Sequence, residues 1–293
     1  MNIETLKMYC DLADSQSFTK AAQINGVTQS AVSQQVTSLE KTFKSLLIER
    51  SKKHFRLTRE GQVLYDYSRQ ITRIDELLRS KLQELKDLIS GTIQVATIYS
   101  IGLHELPPYI TKFMKNHPTV NVHVEYRGYK QVLEDVMSNV VDLGLIAYPV
   151  KNPKLEIVPF GKDPLVIICH PHHPFAKKKS IKLKELSGQE MVGFESDIPT
   201  RKAIDKILNQ YKVMVKYVME FDNIETLKRA VEIGAGVSIV PQATVSQQIA
   251  QKTLSSVVIE DGQFFRPIAA IYKKSRFLTP VMKEFLTTLK SAA

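Results

Sequence analysis

The sequence has little of what an exported or membrane-bound protein needs. It contains two cysteines, Cys10 and Cys169, which are too few and too far apart for a disulfide framework and fit a reducing compartment better. No run approaches the roughly 18 continuous apolar residues of a membrane helix, and the N-terminus lacks the basic and apolar regions of a signal peptide. We therefore expect a cytoplasmic protein without a membrane partner.

Motifs for catalysis and metal binding are also missing from the sequence. No Gly-rich loop is present to cradle a phosphate, and no nucleophile has a recognisable base. His170, His172 and His173 are close in sequence, but Pro171 and Pro174 interrupt them, and no cysteine or carboxylate nearby completes a metal-binding spacing. We interpret this cluster as a loop, with metal binding as the alternative. We expect no enzyme, no metal site and no cofactor.

Positive charge is what the sequence has in excess, with a formal net charge of +10 at pH 7. Residues 41–59 hold seven basic residues against the single acidic Glu49. The basic residues are Lys41, Lys44, Arg50, Lys52, Lys53, Arg56 and Arg59. Such a cluster suits contacts to DNA phosphates, which give affinity without sequence choice; a solvated loop is the alternative. The length of 293 residues corresponds to two domains of ~150 residues each.

Residues 17–33 have the pattern of a helix-turn-helix, a motif that places one helix in the DNA major groove. Ser17 suits the N-cap of a first helix, and Asn25-Gly26 suits its end. Thr28 suits the N-cap of a second helix, which we expect to run to about Phe43. An ordinary helical hairpin with polar caps is the alternative.

The predicted second helix begins with polar side chains that suit DNA recognition. We expect Gln29, Ser33 and Gln34 to face base edges, and Thr28 and Ser30 to position the helix on the backbone. Beyond this helix, four basic residues are candidates for phosphate or minor-groove contacts: Arg50, Lys52, Lys53 and Arg56.

The run 18–33, followed by Leu39-Glu40, Leu47-Ile48-Glu49-Arg50 and Leu57-Thr58-Arg59-Glu60-Gly61, resembles the N-terminal half of LysR-type transcriptional regulators. The similarity extends to nearly the whole chain. The resemblance implies an all-α winged helix-turn-helix with a long linker helix, then a two-lobed α/β effector domain like a periplasmic binding protein. It also implies a sequence-specific regulator that binds double-stranded DNA and a small-molecule effector as a homotetramer, and it allows RNA polymerase as a further partner.

The resemblance assigns a domain to each part of the chain. Residues 1–58 would be the DNA-binding domain, with 44–58 as its wing, residues 59–90 the linker helix, and residues 91–293 the effector-binding domain. Lobe I would comprise 92–162 and 266–293, and lobe II 163–265. Ser100-Ile101-Gly102, Leu106-Pro107 and Thr200-Arg201 resemble the branch that includes regulators of carbon fixation and sulfur metabolism.

Apolar residues recur along the predicted linker at spacings of three and four: Tyr67, Ile71, Ile74, Leu78, Leu82, Leu85 and Ile89. This spacing is nearly that of a heptad seam. A long helix with one apolar stripe is expected to pair with a second copy, which predicts a homodimer. Packing of the stripe on its own chain is the alternative.

Beyond the linker, short apolar segments such as 92–96, 120–126 and 143–147 alternate with predicted helices over 106–117 and 132–141. This predicts a parallel sheet covered on both faces, with ligands beyond the carboxyl ends of its strands. The candidate effector-binding residues are Tyr99, Ser100, Ile101, Tyr129, Lys130, Tyr148, Ser196, Pro199, Thr200, Arg201 and Asn223.

Several of these residues precede predicted helices, whose free N–H groups and partial positive charge favour anions. Ser100 and Thr200 would add hydroxyl donors. Lys130 stands where the family usually has a small polar residue after Gly128, which indicates a negatively charged or carboxylated ligand; a surface lysine is the alternative. For Arg201 the alternative is a structural contact between domains.

We therefore predict a transcriptional regulator switched by a small anionic metabolite bound between two α/β lobes. A solute-binding protein with an accessory helical domain is the alternative, which the missing signal peptide and the helix-turn-helix disfavour. A two-lobed α/β enzyme is a third interpretation, which the absent catalytic constellation disfavours.

Overall fold

The computed structural model describes residues 2–49, 55–84 and 89–291. The chain divides into two compact units, Met1–Leu88 and Ile89–Ala293. Within the described ranges, no helix combines the length and the apolar character that crossing a membrane requires.

The described part of the N-terminal unit contains four helices: α1 (Ile3–Ser15), α2 (Phe18–Asn25), α3 (Gln29–Phe43) and α4 (Arg59–Glu84). Helices α2 and α3 begin where the sequence predicts. Their N-caps, Ser17 and Thr28, accept hydrogen bonds from the backbone N–H groups of Lys20 and Ala31. Helix α2 ends at Gly26, whose φ of 64° is a left-handed conformation that glycine adopts without strain.

Helix α4 begins in close contact with the rest of its unit. The Thr58 hydroxyl accepts a hydrogen bond of 2.9 Å from the Gly61 N–H and donates one of 2.6 Å to the Leu46 carbonyl. A Cβ on Gly61 would lie 2.0 Å from the Leu47 carbonyl oxygen, and the Tyr9 hydroxyl donates to the Gly61 carbonyl at 3.0 Å. Glycine is therefore required at this position for the helix to pack so closely.

The base of the predicted wing is an antiparallel bridge between Ile48 and Leu57. The Glu49 N–H donates to the Arg56 carbonyl at 2.9 Å. Within the predicted wing, Leu57 forms only this single bridged pair, and residues 50–54 lie outside the described part of the chain.

An apolar stripe runs along α4 and is exposed in the protomer: Val63, Tyr67, Ile71, Ile74, Leu78 and Leu82. Leu85, which the sequence places in the same stripe, lies outside the described residues. The prediction that Ile89 continues the stripe is wrong. Ile89 is not helical and packs against a hydrophobic core of the C-terminal unit, where its carbonyl accepts a hydrogen bond of 2.9 Å from the Thr119 hydroxyl.

The described part of the C-terminal unit contains strands and helices in alternation. In chain order they are β1 (Gly91–Thr97), α5 (Tyr99–His104), α6 (Pro107–Asn116), β2 (Val120–Tyr126), α7 (Tyr129–Met137), β3 (Leu143–Ala147), β4 (Leu155–Cys169), β5 (Ser180–Ile181), β6 (Glu190–Phe194), α8 (Pro199–Gln210), β7 (Lys216–Phe221), α9 (Ile224–Glu232), β8 (Ser238–Pro241), α10 (Ser246–Ala250), β9 (Ser255–Ile259), β10 (Phe265–Lys273) and α11 (Pro280–Lys290).

The strands form mixed sheets rather than the purely parallel sheet that the alternation of strands and helices predicts. Strand β1 pairs in parallel with β2 and β3, and β6 pairs in parallel with β7. In contrast, β10 pairs antiparallel with β3 and β4, and β8 and β9 pair antiparallel with β4. The prediction fails because the chain passes between the lobes and returns in neighbouring strands of opposite direction.

Separate hydrophobic cores define the two lobes of this unit. The two cores of lobe I draw on residues between 93 and 160 and between 268 and 289, whereas the core of lobe II draws on residues between 165 and 259. Strands β4 and β10 therefore pass between the lobes side by side. At the crossing, Asp163 of β4 lies opposite Arg266 of β10.

The predicted 106–117 helix is present as α6, but lobe I has one helix that the sequence analysis did not predict and another that begins early. Helix α5 precedes the predicted 106–117 helix, and α7 begins at Tyr129, three residues before the predicted start at Val132. Helix α7 ends before Asn139, which adopts a left-handed conformation with φ of 59°. As a result, Ser100 and Tyr129 lie in first helical turns instead of in loops.

Candidate functional site

The start of α3 presents an exposed polar surface. Its exposed side chains include Gln29, Ser30, Ser33 and Gln34. Buried Val32 and Val36 hold the opposite side of the helix in the core of the N-terminal unit. The hydroxyl oxygens of Thr28 and Ser30 lie 2.9 Å apart. Side-chain amides and hydroxyls of this kind can hydrogen-bond to base edges and to phosphates.

A polar groove of about 290 Å³ continues along α3. Its lining residues are Ser33, Gln34, Thr37, Ser38 and Lys41. The sequence-based site omits Thr37 and Ser38 and counts Lys41 only in the basic cluster. Helical spacing is the signal that could have found them, because residues at i, i+4 and i+8 from Ser33 share one helix face.

The basic residues predicted after α3 are only partly described. The side chain of Arg56 is exposed, as a phosphate contact requires. Arg50, Lys52 and Lys53 fall within residues 50–54, outside the described part of the chain.

An apolar groove of about 620 Å³ lies beside the first turns of α4. Its lining includes Phe43, Leu47, Val63, Tyr67 and Ile71. This groove continues the exposed stripe on α4, and we refer to the two together as the apolar face of α4. An extensive exposed apolar surface of this kind is typical of a protein–protein contact.

A cavity of about 80 Å³ lies between the lobes of the C-terminal unit, and we call it the interlobe cavity. Lobe I lines it with Ile98, Tyr99, Ser100, Arg127, Gly128, Tyr129 and Ala147. Lobe II lines it with Phe194, Ile198, Pro199, Thr200, Asp222, Asn223 and Ile224. Because one buried water molecule needs a cavity volume of roughly 10–15 Å³, this cavity has room for several water-sized groups, as in a small metabolite.

Six of the predicted effector residues line the interlobe cavity: Tyr99, Ser100, Tyr129, Pro199, Thr200 and Asn223. The other five do not: Ile101, Lys130, Tyr148, Ser196 and Arg201. Ile101 is fully buried in the core of lobe I, because the helical turn directs it inward. Ser196 is exposed.

Arg201 has a structural role inside lobe II. Its Nε atom lies 2.9 Å from both carboxylate oxygens of Asp205. Its Nη1 atom donates to the Phe194 carbonyl at 2.6 Å and pairs with Glu220, and its guanidinium carbon lies 3.4 Å from the centroid of the Tyr217 ring. These partners all belong to lobe II, and Arg201 does not line the cavity. Its assignment to the effector site stays a prediction.

Lys130 and Tyr148 are also directed to other partners. The Nζ atom of Lys130 lies 2.7 Å from a carboxylate oxygen of Asp197. Tyr148 has a left-handed backbone with φ of 50°, and its N–H donates to the Pro267 carbonyl at 2.9 Å. Burial raises the pKa of the Tyr148 hydroxyl to about 12.

Three helices begin at the interlobe cavity without a side-chain cap. The N-caps of α5, α7 and α8 are Ile98, Gly128 and Ile198, and all three residues line the cavity. Helix α9 differs, because the Asn223 side chain accepts hydrogen bonds from two of its first N–H groups. Uncapped helix N-termini carry free N–H groups and partial positive charge, which favour an anion.

Two nearly buried hydroxyl groups add to these N–H groups. Ser100 is 8% exposed and Thr200 is 5% exposed, and they line the cavity from lobe I and lobe II respectively. Among the described residues, the Thr200 hydroxyl has no hydrogen-bond partner. The Thr200 hydroxyl is therefore available to donate a hydrogen bond to a ligand oxygen in the cavity.

The lobes are also connected near the cavity by ionic groups. The Nε2 atom of His104 lies 2.8 Å from a carboxylate oxygen of Glu225, and Lys228 lies 2.9 Å from the same oxygen. At the strand crossing, Arg266 and Asp163 form a buried ion pair at 3.0 Å. Burial, reinforced by Asp163 and opposed by Arg266, raises the pKa of the Glu105 carboxyl to about 7.

Arg127, Phe194 and Ile198 line the cavity although the sequence-based site omits them. Arg127 directly follows the predicted strand 120–126, so its position was a usable signal. Its guanidinium pairs with Glu125 and lies 3.5 Å from Asp135. Phe194 and Ile198 carried no such signal, because apolar residues beside a strand are usually core residues.

The histidine cluster of lobe II is part of a turn. The rings of His170 and His172 lie 5.2 Å apart, and the His173 side chain accepts a hydrogen bond from the Phe175 N–H at the start of a 3₁₀ helix, Pro174–Lys177. In the part of the chain that the structure describes, no three His, Cys, Asp or Glu side chains are grouped as metal ligands.

Two family models match the chain. "Bacterial regulatory helix-turn-helix protein, lysR family" matches residues 3–62, and "LysR substrate binding domain" matches residues 86–293. Among curated relatives, the HTH-type transcriptional regulator CysL of Bacillus subtilis is 28% identical, with 99% of this chain and 97% of CysL covered. The RuBisCO operon transcriptional regulator of Allochromatium vinosum is 27% identical, with 100% and 97% covered. These relatives confirm the predicted branch.

Solved structures show the same fold. A full-length OxyR variant from Pseudomonas aeruginosa superposes with a TM-score of 0.76 at 22% identity, covering 99% of this chain and 95% of that one. Full-length CbnR in complex with its target DNA superposes with a TM-score of 0.74 at 19% identity, covering 100% of both chains. The regulatory domain of CcmR from Synechocystis PCC6803 in complex with 2-PG superposes with a TM-score of 0.63 at 24% identity, covering 69% of this chain and 97% of that one.

Proposed function

Because the chain belongs to the LysR family of transcriptional regulators, we propose that it reads DNA through α3 and is switched by a small anionic metabolite in the interlobe cavity. It is a transcriptional regulator with an effector-binding domain. The proposal includes no catalytic role, since the curated relatives named above are regulators. A regulator of this kind acts on the chromosome, which places it in the cytoplasm.

The proposed domain organisation follows the sequence. Residues 1–58 bind DNA, 59–90 form the linker helix, and 91–293 bind the effector. The matched ranges 3–62 and 86–293 and the division of the chain after Leu88 support this organisation. Because Ile89 packs against the core of lobe I, we propose one change to these bounds: the effector domain starts two residues earlier, at Ile89.

The meeting of three uncapped helix N-termini in one cavity carries the proposal of an anionic ligand. Backbone N–H groups at helix starts bind carboxylates and phosphates directly. The hydroxyls of Ser100 and Thr200 supply further donors from opposite lobes. The structurally similar CcmR domain is in complex with 2-PG, which supports a small metabolite as the ligand and makes 2-PG a compound to test.

For the DNA contact, we propose that Gln29, Ser33 and Gln34 reach base edges. Thr28, Ser30, Arg50, Lys52, Lys53 and Arg56 would contact the backbone. The exposure of the polar residues at the start of α3 supports the first group, as does the polar groove at Ser33 and Gln34.

For assembly, we propose a homodimer through the apolar face of α4, and a homotetramer with a second contact through the effector domains. Exposure of Tyr67 at 61% and Ile74 at 67% in the protomer supports the first contact, because side chains of this type are usually covered.

The test is DNA binding by the full-length protein. Fluorescence anisotropy would compare a duplex from upstream of its own gene with a scrambled duplex of equal length, at salt from about 50 to about 200 mM. We expect tighter binding of the upstream duplex at every salt concentration, and affinity for both that falls as salt rises. Equal affinity for the two duplexes throughout would overturn sequence-specific recognition.

A further inference from the structure

A buried arginine determines what Ser100 can offer to a ligand. The Nη1 atom of Arg266 donates a hydrogen bond of 2.7 Å to the Oγ atom of Ser100. Ser100 lines the interlobe cavity, whereas Arg266 lies behind it and is 1% exposed. Among the described residues, Ser100 Oγ has no other hydrogen bond. A hydroxyl carries one proton and two acceptor positions, so the proton of Ser100 remains available to an acceptor in the cavity.

Arg266 can only be the donor in its hydrogen bond with Ser100. A guanidinium has five N–H donors, no acceptor, and a charge that persists at any ordinary pH. Its position is fixed, because its Nη2 atom donates to Asp163 Oδ2 at 3.0 Å and Asp163 Oδ1 accepts a hydrogen bond of 3.3 Å from the Ala243 N–H in lobe II. Ser100 therefore meets a permanent donor on a buried, anchored side chain.

We propose that Arg266 is the positioning residue that sets the ligand class of the interlobe cavity: by donating to Ser100, it makes Ser100 a donor, so that the cavity selects a carboxylate or phosphate oxygen over an ammonium group. The inference rests on the proposed binding of a metabolite between the lobes. The buried ion pair supports the same class, because its positive member is the one that contacts Ser100, and charge acts strongly in a site shielded from water.

The position of the pair links this selection to the geometry of the two lobes. Asp163 and Arg266 lie opposite each other on β4 and β10, where these strands pass between the lobes. A ligand oxygen on Ser100 is thus joined through Arg266 and Asp163 to the backbone of Ala243 in lobe II.

The experiment uses two variants of the full-length protein: Arg266→Lys, and Asp163→Asn combined with Arg266→Met, which we call the Met pair. Arg266→Lys keeps an ion pair with Asp163 and the Met pair removes both buried charges, so neither leaves an unpaired charge in the core. The Lys side chain is long enough to keep an N–H donor for Ser100, whereas the Met side chain has none. Thermal unfolding would establish that the two variants are folded and comparably stable.

Calorimetric titration at constant ionic strength would measure the affinities for inorganic phosphate, acetate and methylammonium. We expect the wild type to prefer the two anions over methylammonium. The Met pair should lose about tenfold or more of its affinity for the anions, as the loss of a hydrogen bond to a charged group predicts. Arg266→Lys should retain most of that affinity. Ser138→Ala, which removes an exposed hydroxyl outside the cavity, should match the wild type.

A further variant tests whether Arg266 acts through Ser100. Adding Ser100→Ala to the Met pair should cause no further loss, because the Met pair has already removed the hydrogen bond that makes Ser100 a donor. Unchanged anion preference in the Met pair would overturn the inference. If Thr200→Val loses affinity for phosphate while the Met pair keeps it, the cavity is an anion site but Arg266 does not set its ligand class. If the wild type binds neither anion, the proposed anionic ligand and the proposed role of Arg266 are both wrong. The DNA-binding proposal is tested separately, by the anisotropy experiment described above.

Discussion

Lys130 of lobe I and Asp197 of lobe II form an ion pair, with 2.7 Å between Nζ and Oδ2. Neither residue lines the interlobe cavity, and their side chains are 76% and 50% exposed. An exposed pair contributes little free energy. We therefore expect Lys130→Met to change the affinity for phosphate or acetate by less than about fivefold, as measured by calorimetry.

The contrasting variant is Thr200→Val, which keeps the size of a side chain that is 5% exposed but removes its hydroxyl. It should weaken anion binding by about tenfold or more. If Lys130→Met lost as much affinity for the anions as Thr200→Val, Lys130 would belong to the ligand site.

Gln34 on α3 is exposed and lines the polar groove of the N-terminal unit. Replacing Gln34 by Ala should cost ~1–3 kcal/mol on the specific DNA site and relax sequence choice. Arg56→Ala is the matched control. Loss of a phosphate contact should weaken binding to all DNA sequences alike and lower the slope of log affinity against log salt concentration by about one unit. Competition between specific and scrambled duplexes measures both effects. Preserved discrimination in the Gln34 variant would show that this residue does not read bases.

Ile74 is 67% exposed on the apolar face of α4. In the proposed dimer, Ile74→Asp would bury a charge in an apolar contact, which is strongly unfavourable. Light scattering should then show a shift to smaller species, with loss of binding to paired half-sites. Gln62→Asp, at an exposed polar position on another face of the same helix, should leave the mass unchanged. A full-size assembly in the Ile74 variant would contradict the proposed contact.

Glu105 should make the stability of the C-terminal unit depend on pH. Burial, reinforced by Asp163 and opposed by Arg266, raises its pKa from 4.5 to about 7. A carboxyl with a raised pKa contributes stability that is complete below its ordinary pKa and is lost as pH rises through the folded value. Unfolding free energy should therefore fall between about pH 4.5 and pH 7, and Glu105→Gln should flatten that fall. Identical pH profiles for the two proteins would exclude Glu105 as the cause.

Local features of the N-terminal unit could be predicted from the sequence. Ser17 and Thr28 cap helices through hydrogen bonds to N–H groups three residues away, so the information lies within one turn. Gly61 shows the limit of prediction from local sequence. Its early helical position is visible in the sequence, but the reason for glycine is the Leu47 carbonyl, which tertiary packing brings to it.

The effector unit was less accessible to sequence reasoning because its decisive contacts are remote. The sequence suggested Arg201 as a ligand residue, but it gave no sign that Glu220 and Tyr217 lie beside its guanidinium in the folded chain. Arg266 and Ser100 are 166 positions apart in the chain, and no local pattern joins them. The 15-residue strand β4 contains Pro159, Gly161 and Pro164, which in a sequence indicate a break in the strand.

The central claim is that an anion in the interlobe cavity changes how the protein holds DNA. The most direct measurement is footprinting of the upstream DNA with wild type and Thr200→Val, titrated with a panel of carboxylates and phosphate esters that includes 2-PG. The account predicts that at least one anionic compound alters the wild-type footprint, and that Thr200→Val binds the DNA equally well but needs about tenfold or more of that compound for the same change. If no anionic compound alters the wild-type footprint, or if both proteins respond at the same concentration, the claim is wrong.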